Sequence, residues 1–240
     1  MENTKQHGGA GMELSVDRLN KQYKNKIAVD RVTFRLSEGV TGLLGANGAG
    51  KTTLMRMMTG ILTPDSGKIT ADGIAVQTEE YRSLLGYLPQ DFGYYPEFTA
   101  REFIQYIAAL KGLEKKHARK KTDDLLEVVG LSDVANKKIK TFSGGMKQRV
   151  GIAQAIVNDP RILILDEPTA GLDPKERVRF RNLIAEIGKN TIVLFSTHIV
   201  SDIDSIAGNL LMMRDGQIIY DGSWNKEQGD LEQFYMKEFE

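Results

Sequence analysis

One glycine-rich segment constrains the fold of this chain more than any other feature. An apolar run over residues 40–44 leads into it, and a helical pattern follows from Lys51 to about Gly60. The segment matches G-x-x-x-x-G-K-[ST] at every fixed position. It reads Gly45-Ala46-Asn47-Gly48-Ala49-Gly50-Lys51-Thr52. This order of strand, glycine loop and helix predicts an α/β fold.

The loop also has the chemistry of a phosphate-binding site. Its glycines allow backbone angles that aim successive N–H groups at one concavity, and the following helix presents its positive end there. The Lys51 ammonium can reach the β- and γ-phosphates of a nucleotide, and the Thr52 hydroxyl can ligate magnesium. A glycine turn between a strand and a helix can be purely structural. The flanking elements favour the alternative, so we predict nucleotide binding from Gly45 through Thr53.

Two adjacent acidic residues, Asp166 and Glu167, follow an unbroken apolar run over residues 162–165. Such a run is typical of a strand buried on both faces of a parallel sheet, and these sheets bind ligands at their carboxyl ends. Asp166 is suited to hold magnesium through water, and Glu167 to polarise an attacking water. Alone, the pair would be read as ordinary strand-end carboxylates. The phosphate loop makes them candidate catalytic residues.

The remaining pattern predicts one α/β core with a helical insert near residues 90–140. Apolar residues alternate at residues 13–16 and 28–36, form an unbroken run at residues 192–195, and recur every three or four positions in the helix candidates. A polar turn is expected at residues 23–26. The strand candidates are residues 13–16, 28–36, 68–70, 84–88 and 192–195, and the helix candidates are residues 99–129, 146–157, 175–187 and 231–240.

Composition excludes several classes of function. Lysine plus arginine equals aspartate plus glutamate at 32 each, so no net field favours nucleic acid, and the absence of cysteine excludes thiol chemistry. No apolar run approaches the roughly 20 residues that cross a bilayer. Residues 1–11 are too polar for a signal peptide and are expected to form a disordered leader. We therefore expect a soluble chain in a reducing cytosol, whose membrane partners, if any, are separate proteins.

With these motifs in place, the chain resembles the ATP-binding subunits of ABC transporters over nearly all of residues 12–222. The resemblance implies a P-loop ATPase core with a mainly parallel sheet, an antiparallel β subdomain and a helical subdomain at about residues 90–160. All of these would belong to a single domain, residues 12–240. The matching motifs, in order, are Tyr23, Gln90 after Gly86-Tyr87-Leu88-Pro89, Phe142-Ser143-Gly144-Gly145-Met146, Asp166-Glu167-Pro168-Thr169, Ala170-Gly171-Leu172-Asp173 and His198.

The segment Ser143-Gly144-Gly145 opens a predicted helix, so its N–H groups and hydroxyl can bind an anion. The bland interpretation is a plain helix cap. The resemblance implies more: this helix end binds the γ-phosphate held by a second subunit, so that two chains enclose two ATP molecules. It also places Asp173 at that interface.

Three further roles rest mainly on the resemblance. It implies that His198 contacts the γ-phosphate or the attacking water, that Gln90 senses magnesium and the membrane partner, and that Tyr23 stacks on adenine. A lone histidine, glutamine or tyrosine in these positions would otherwise be read as structural.

The chain departs from the family pattern at three positions. The family's signature sequence corresponds to residues 142–146 of this chain. Phe142 and Met146 replace its usual leucine and glutamine, and the Ser-Gly-Gly core between them is intact. A lost glutamine is expected to weaken one polar contact across the dimer and change the rate. Gln154 stands where many relatives carry arginine, and the sequence offers no reason for it.

The resulting prediction is an ATP- and magnesium-dependent ATPase that dimerises around ATP and drives translocation by multi-span membrane permease subunits. It would be peripheral, at the cytoplasmic face of the cell membrane, and would not bind nucleic acid. The alternative is a soluble ABC ATPase acting on DNA or ribosomes, and a P-loop metabolic kinase is a further rival. The single P-loop and the short insert argue against the soluble ATPase. The signature helix and His198 argue against the kinase.

The partner surface is predicted around residues 90–101, where Phe92, Tyr94, Tyr95 and Phe98 make an aromatic-rich loop suited to grip a short helix. The same run, followed by Ser-Gly-Gly-Met-Lys-Gln-Arg, resembles subunits of ABC-2-type exporters. We therefore expect export, while the transported substrate is set by the membrane subunit.

Overall fold

A computed structural model describes residues 11–225, 227 and 229–239 of the chain. Apart from Gly11, the predicted disordered leader lies outside the described residues. The strands are β1 Glu13–Tyr23, β2 Lys26–Ser37, β3 Gly39–Leu44, β4 Ser66–Ala71, β5 Ile74–Ala75, β6 Leu85–Leu88, β7 Ile162–Asp166, β8 Ile192–Ser196, β9 Asn209–Arg214 and β10 Gln217–Ser223. The α-helices are α1 Lys51–Met58, α2 Glu79–Leu84, α3 Ala100–Leu110, α4 Lys115–Val128, α5 Gly144–Ala155, α6 Pro174–Ile187, α7 Val200–Asp204 and α8 Leu231–Phe239.

The first sheet is antiparallel, with strand order β2-β1-β4-β5. Apolar residues alternate along β2, and Val32, Phe34 and Leu36 point into the core. The turn expected at residues 23–26 is shorter than predicted, because Tyr23 already pairs with Lys26 and only residues 24 and 25 remain between the strands.

The second sheet has strand order β10-β9-β3-β8-β7-β6 and is parallel except at β10, which pairs antiparallel with β9. Every residue of β7 and β8 is buried, as their unbroken apolar runs predicted. The β9–β10 hairpin was not predicted. Its turn is Asp215-Gly216, both with positive φ, a pair typical of two-residue hairpin turns.

Helices α3, α4 and α5 lie between β6 and β7 in the chain and pack against one another. The helical pattern from residue 99 to about 129 is divided in two, because Gly112 adopts a φ of 80° beyond the end of α3. A capping box at Thr99 and Glu102 starts α3. The carboxyl ends of β3, β7 and β8 meet at one edge of the parallel sheet, and this edge carries the site.

Candidate nucleotide-binding site

The glycine loop joins β3 to α1, and its close contacts explain its glycines. A Cβ on Gly45 would lie 2.4 Å from the Met213 carbonyl oxygen, and one on Gly50 would lie 2.2 Å from that of Ala28. Gly50 also has a φ of 111°, which L-residues with side chains rarely adopt. The loop is therefore held between β2 and β9, with α1 beginning at Lys51.

Lys51 is folded back over its own loop. Its Nζ donates hydrogen bonds to the carbonyl oxygens of Gly45 at 2.6 Å and Ala46 at 3.2 Å, and the residue is only 7% exposed. Burial lowers the pKa of the Lys51 ammonium, while the carboxylates of Glu167 and Asp166 act in the opposite direction. A phosphate chain entering the loop would meet this cation directly.

Asp166 ends β7 and is 1% exposed. Its Oδ1 accepts a hydrogen bond from the Ser196 hydroxyl at 3.2 Å, and its buried Oδ2 has no partner among the described residues. A buried carboxylate oxygen without a donor is unusual, because such groups are normally paired. Asp166 and Thr52 both line one cavity, so their side-chain oxygens fit a hydrated Mg²⁺ ion.

Glu167 follows Asp166 in a left-handed conformation with a φ of 52°, which is strained for a residue with a side chain. Its Oε2 lies 2.7 Å from His198 Nδ1, and it accepts a long hydrogen bond of 3.4 Å from the His198 backbone N–H. The carboxylate is 8% exposed, whereas 62% of the histidine side chain is exposed. The contact with the exposed imidazole therefore orients a buried carboxylate that lines the site.

Most of these residues line one cavity of about 450 Å³, whereas Gly45, Ala46, Ala49 and His198 are not among its lining residues. Tyr23, 47% exposed, and the exposed Gln90 lie at its edge. Lys26 and Ala28 also line it, and they were missed because their only signal is their position just after Tyr23. The predicted residues that line the cavity are Tyr23, Asn47, Gly48, Gly50, Lys51, Thr52, Thr53, Gln90, Asp166 and Glu167.

Comparisons with known proteins agree with this geometry. The family model described as ABC transporter matches residues 29–170. The ABC transporter ATP-binding protein YxlF of Bacillus subtilis (strain 168) is 42% identical, over 92% of this chain and 72% of its own length. The chain belongs to this family.

Two further comparisons support the assignment. The Nod factor export ATP-binding protein I of Burkholderia pseudomallei (strain 1710b) is 38% identical, over 88% of this chain and 70% of its own length. A solved structure of the ATP-binding subunit of an ABC transporter superimposes with a TM-score of 0.86 at 27% identity, covering 95% of this chain and 99% of that one. The predicted family, ABC ATPase fold and ATP-hydrolysing class are confirmed, and the DNA- or ribosome-associated alternative is not favoured.

The signature segment of this ABC ATP-binding protein, residues 142–146, lies apart from the cavity. Ser143 caps α5, its hydroxyl accepting a hydrogen bond from the Met146 N–H at 3.2 Å, and both Ser143 and Gly144 are exposed. Phe142 is buried in the helical core, against which Met146 also packs. The two departures from the family pattern therefore fill apolar space within the chain.

Asp173 likewise lies outside the cavity of its own chain. Its carboxylate caps α6 by accepting a hydrogen bond from the Glu176 N–H at 2.8 Å. The structure thus brings the P-loop, Asp166, Glu167, Tyr23 and Gln90 to one cavity, and His198 contacts Glu167 without lining it. Ser143, Gly144, Gly145 and Asp173 form a second group that does not line this cavity.

The aromatic loop after Gln90 borders a groove of about 570 Å³, which we call the aromatic groove. Phe92, Tyr94 and Phe98 are partly buried, and Tyr95 is 50% exposed. Gln154 also lines the groove, and its Nε2 donates to the Tyr87 carbonyl oxygen at 2.8 Å. This contact gives Gln154 a role that the sequence did not suggest. The residues lining the groove are Tyr87, Pro89, Phe92, Gly93, Tyr94, Tyr95, Phe103, Tyr106, Ile107, Leu110 and Gln154.

Proposed function

We propose that this ATP-binding subunit forms its complete hydrolytic sites only between two copies, and that ATP hydrolysis there drives export by membrane-spanning partner subunits. The observation that carries the proposal is the separation of two groups of residues. The P-loop, Asp166 and Glu167 line one cavity, while Ser143 and Asp173 do not line it. A second molecule can place its signature helix over this cavity.

The residues of the cavity divide the work of hydrolysis. The loop N–H groups and Lys51 bind the phosphates, and Thr52 and the free oxygen of Asp166 would hold the ion. A bound Mg²⁺ would neutralise charge on the phosphate oxygens. Glu167, aimed by its contact with His198, orients the attacking water and accepts its proton. In-line attack then depends on positioning and charge neutralisation, without a covalent intermediate.

The rim residues complete the proposed site. Tyr23 stacks on the adenine ring, since its exposed ring borders the cavity. Gln90 reaches the same cavity from the loop that also leads into the aromatic groove. If a partner displaces that loop, Gln90 therefore moves relative to the phosphates bound in the cavity.

Export is supported by the 38% identical relative whose name describes Nod factor export. No helix in the described residues is long and apolar enough to span a membrane. We propose that separate multi-span subunits supply the translocation path and recruit this chain to the cytoplasmic face of the membrane. The aromatic groove is the proposed contact, since its lining carries no charged side chain and suits the apolar face of a short helix.

The membrane contact is tested by changing Tyr94 and Tyr95 together to Ala in cells that contain the native partners. Interface aromatics typically cost about 2 kcal/mol or more when truncated, so the double variant should leave the membrane fraction or lose transport. Its basal ATPase rate after purification should stay close to that of the parent. The matched control is Ile61→Ala, an exposed apolar residue outside the groove.

Two outcomes would contradict the docking role. A double variant that remains membrane-bound and fully coupled places the partner elsewhere. One that unfolds shows that the tyrosines belong to the core, where aromatic truncation costs about 3–5 kcal/mol.

A further inference from the structure

The first turn of α6 carries the carboxylate of Glu176, which lies against both the signature segment and the loop 170–173. We infer that Glu176 is a positioning residue that holds the signature segment and the loop 170–173 in one fixed arrangement, so that both reach a second copy together. This inference rests on the proposed two-copy site. It assigns to Glu176 a role in assembly and not in the chemistry of hydrolysis.

One carboxylate oxygen of Glu176 accepts a hydrogen bond from the loop 170–173. The Asp173 N–H donates to Glu176 Oε2 at 3.4 Å, and the Glu176 N–H donates to Asp173 Oδ1 at 2.8 Å. This reciprocal capping box fixes the conformation in which the chain enters α6. The direction of the Asp173 side chain therefore depends on Glu176.

The other carboxylate oxygen of Glu176 forms an ion pair with a residue of α5. Arg149 Nη2 lies 3.1 Å from Glu176 Oε1, and the two side chains are 19% and 20% exposed. Arg149 Nη1 also donates to the carbonyl oxygens of Val129 at 3.0 Å and Gly130 at 2.8 Å, at the end of α4. Glu176 is the carboxylate paired with this mostly buried cation, so its charge ties α6 to α5 and α4.

A close approach at Gly145 makes the arrangement more specific. A Cβ at this position would lie 2.8 Å from Glu176 Oε2 and 3.3 Å from the Gly171 carbonyl oxygen. Gly145 is buried, and its backbone does not require positive φ. The second glycine of the signature is therefore needed for packing of α5 against the loop and Glu176.

The chain contains a matched comparison for this residue. Glu102 occupies the same place in the capping box of α3, where its Oε2 accepts from the Thr99 N–H at 2.8 Å. Within the part of the chain that the structure describes, no cation pairs with Glu102 in the way that Arg149 pairs with Glu176. Glu102→Gln therefore measures the effect of weakening a helix cap without the loss of an ion pair.

The experiment compares Glu176→Gln with Glu102→Gln, both in a Glu167→Gln background, which should accumulate the ATP-bound dimer because the hydrolytic base is removed. Glutamine can replace glutamate in a capping box, so Glu176→Gln should fold while losing the charge that pairs with Arg149. The ATP concentration for half-maximal dimer formation, measured by light scattering, should rise about tenfold for Glu176→Gln. Glu102→Gln should leave it unchanged.

ATP affinity of the monomer separates positioning from damage to the nucleotide site. It is measured on the purified Ser143→Arg chain, in which neither shared site of a homodimer has an intact signature, so that the chain should stay monomeric. The ATP affinity of this monomer should stay within about twofold for Glu176→Gln. A double-mutant cycle combines Glu176→Gln with Ser143→Ala and measures the ATP concentration for half-maximal dimer formation. The effects of the two changes on this concentration should be non-additive, because both act on one helix end.

The inference is overturned if Glu176→Gln dimerises like its parent, or if Glu102→Gln loses as much. The inference is also overturned if Glu176→Gln weakens ATP binding by the monomer by the same factor as it raises the ATP concentration for half-maximal dimer formation. If the Glu167→Gln parent itself never dimerises with ATP, the two-copy site fails first, and that result is distinguishable from failure of Glu176 alone.

Discussion

The two groups of proposed site residues differ in how completely the chain itself surrounds them. Asp166, Lys51 and Glu167 are 1%, 7% and 8% exposed, and each is held by hydrogen bonds within the chain. Ser143 and Asp173 are exposed helix caps. Burial and fixed geometry suit the first group for chemistry, and exposure on a rigid helix end suits the second for contact with another molecule.

This difference predicts two kinds of defect. A change in the buried group should alter ATP binding or the hydrolytic step in each molecule. A change in the exposed group should leave ATP binding by one molecule intact and alter what two molecules do together.

The largest effect is expected at Glu167, where the buried group carries the chemistry. Glu167→Gln keeps the shape of the side chain but removes the base, so turnover should fall by about 10² or more while ATP binding persists. Phosphate release and nucleotide titration measure the two quantities, with Glu186→Gln on the surface as control. Turnover within about threefold of the parent would reject the catalytic role.

The next prediction tests whether the two groups work across copies. Lys51→Ala and Ser143→Arg should each be nearly inactive as purified chains. Their mixture should recover ATPase activity, because a heterodimer then contains one intact P-loop facing one intact signature. A mixture as inactive as its parents would mean either that the groups do not meet or that hydrolysis requires both sites intact.

The smallest effect is expected at Tyr23, at the edge of the buried group. Stacking on an aromatic ring is worth about 0.5–1.5 kcal/mol, so Tyr23→Ala should weaken ATP binding by about 2- to 10-fold. Turnover at saturating ATP should change little. Equal weakening of adenosine-free triphosphate binding would show that the ring packs against the loop and does not recognise the base.

Much of the buried group could be predicted from sequence because its signals are local. The P-loop occupies eight consecutive residues, and Asp166 and Glu167 follow a strand whose apolar run is unbroken. The parallel sheet then brings these segments to one edge. The β9–β10 hairpin was missed although Asp215-Gly216 marks its turn, because the strands on either side do not alternate cleanly.

The contacts that organise the exposed group, and those that line the aromatic groove, could not be predicted in the same way. Arg149 and Glu176 lie on different helices, and Gln154 reaches the carbonyl of Tyr87, 67 residues away. No sequence period links such pairs, since they depend on how the helical insert packs against the core. Met146 shows the same limit, because its apolar contact with the helical core explains a residue that looked like a lost polar group.

The most direct test of the two-copy site is a crosslink between the groups. The chain has no cysteine, so Ser143→Cys in one copy and Asn47→Cys in another provide a single reactive pair. Both changes are placed in the Glu167→Gln background, and the two chains are mixed with a short bifunctional thiol reagent. We predict a crosslinked heterodimer that forms with ATP and Mg²⁺ and not with ADP. No ATP-dependent crosslink between the two chains would contradict the shared site.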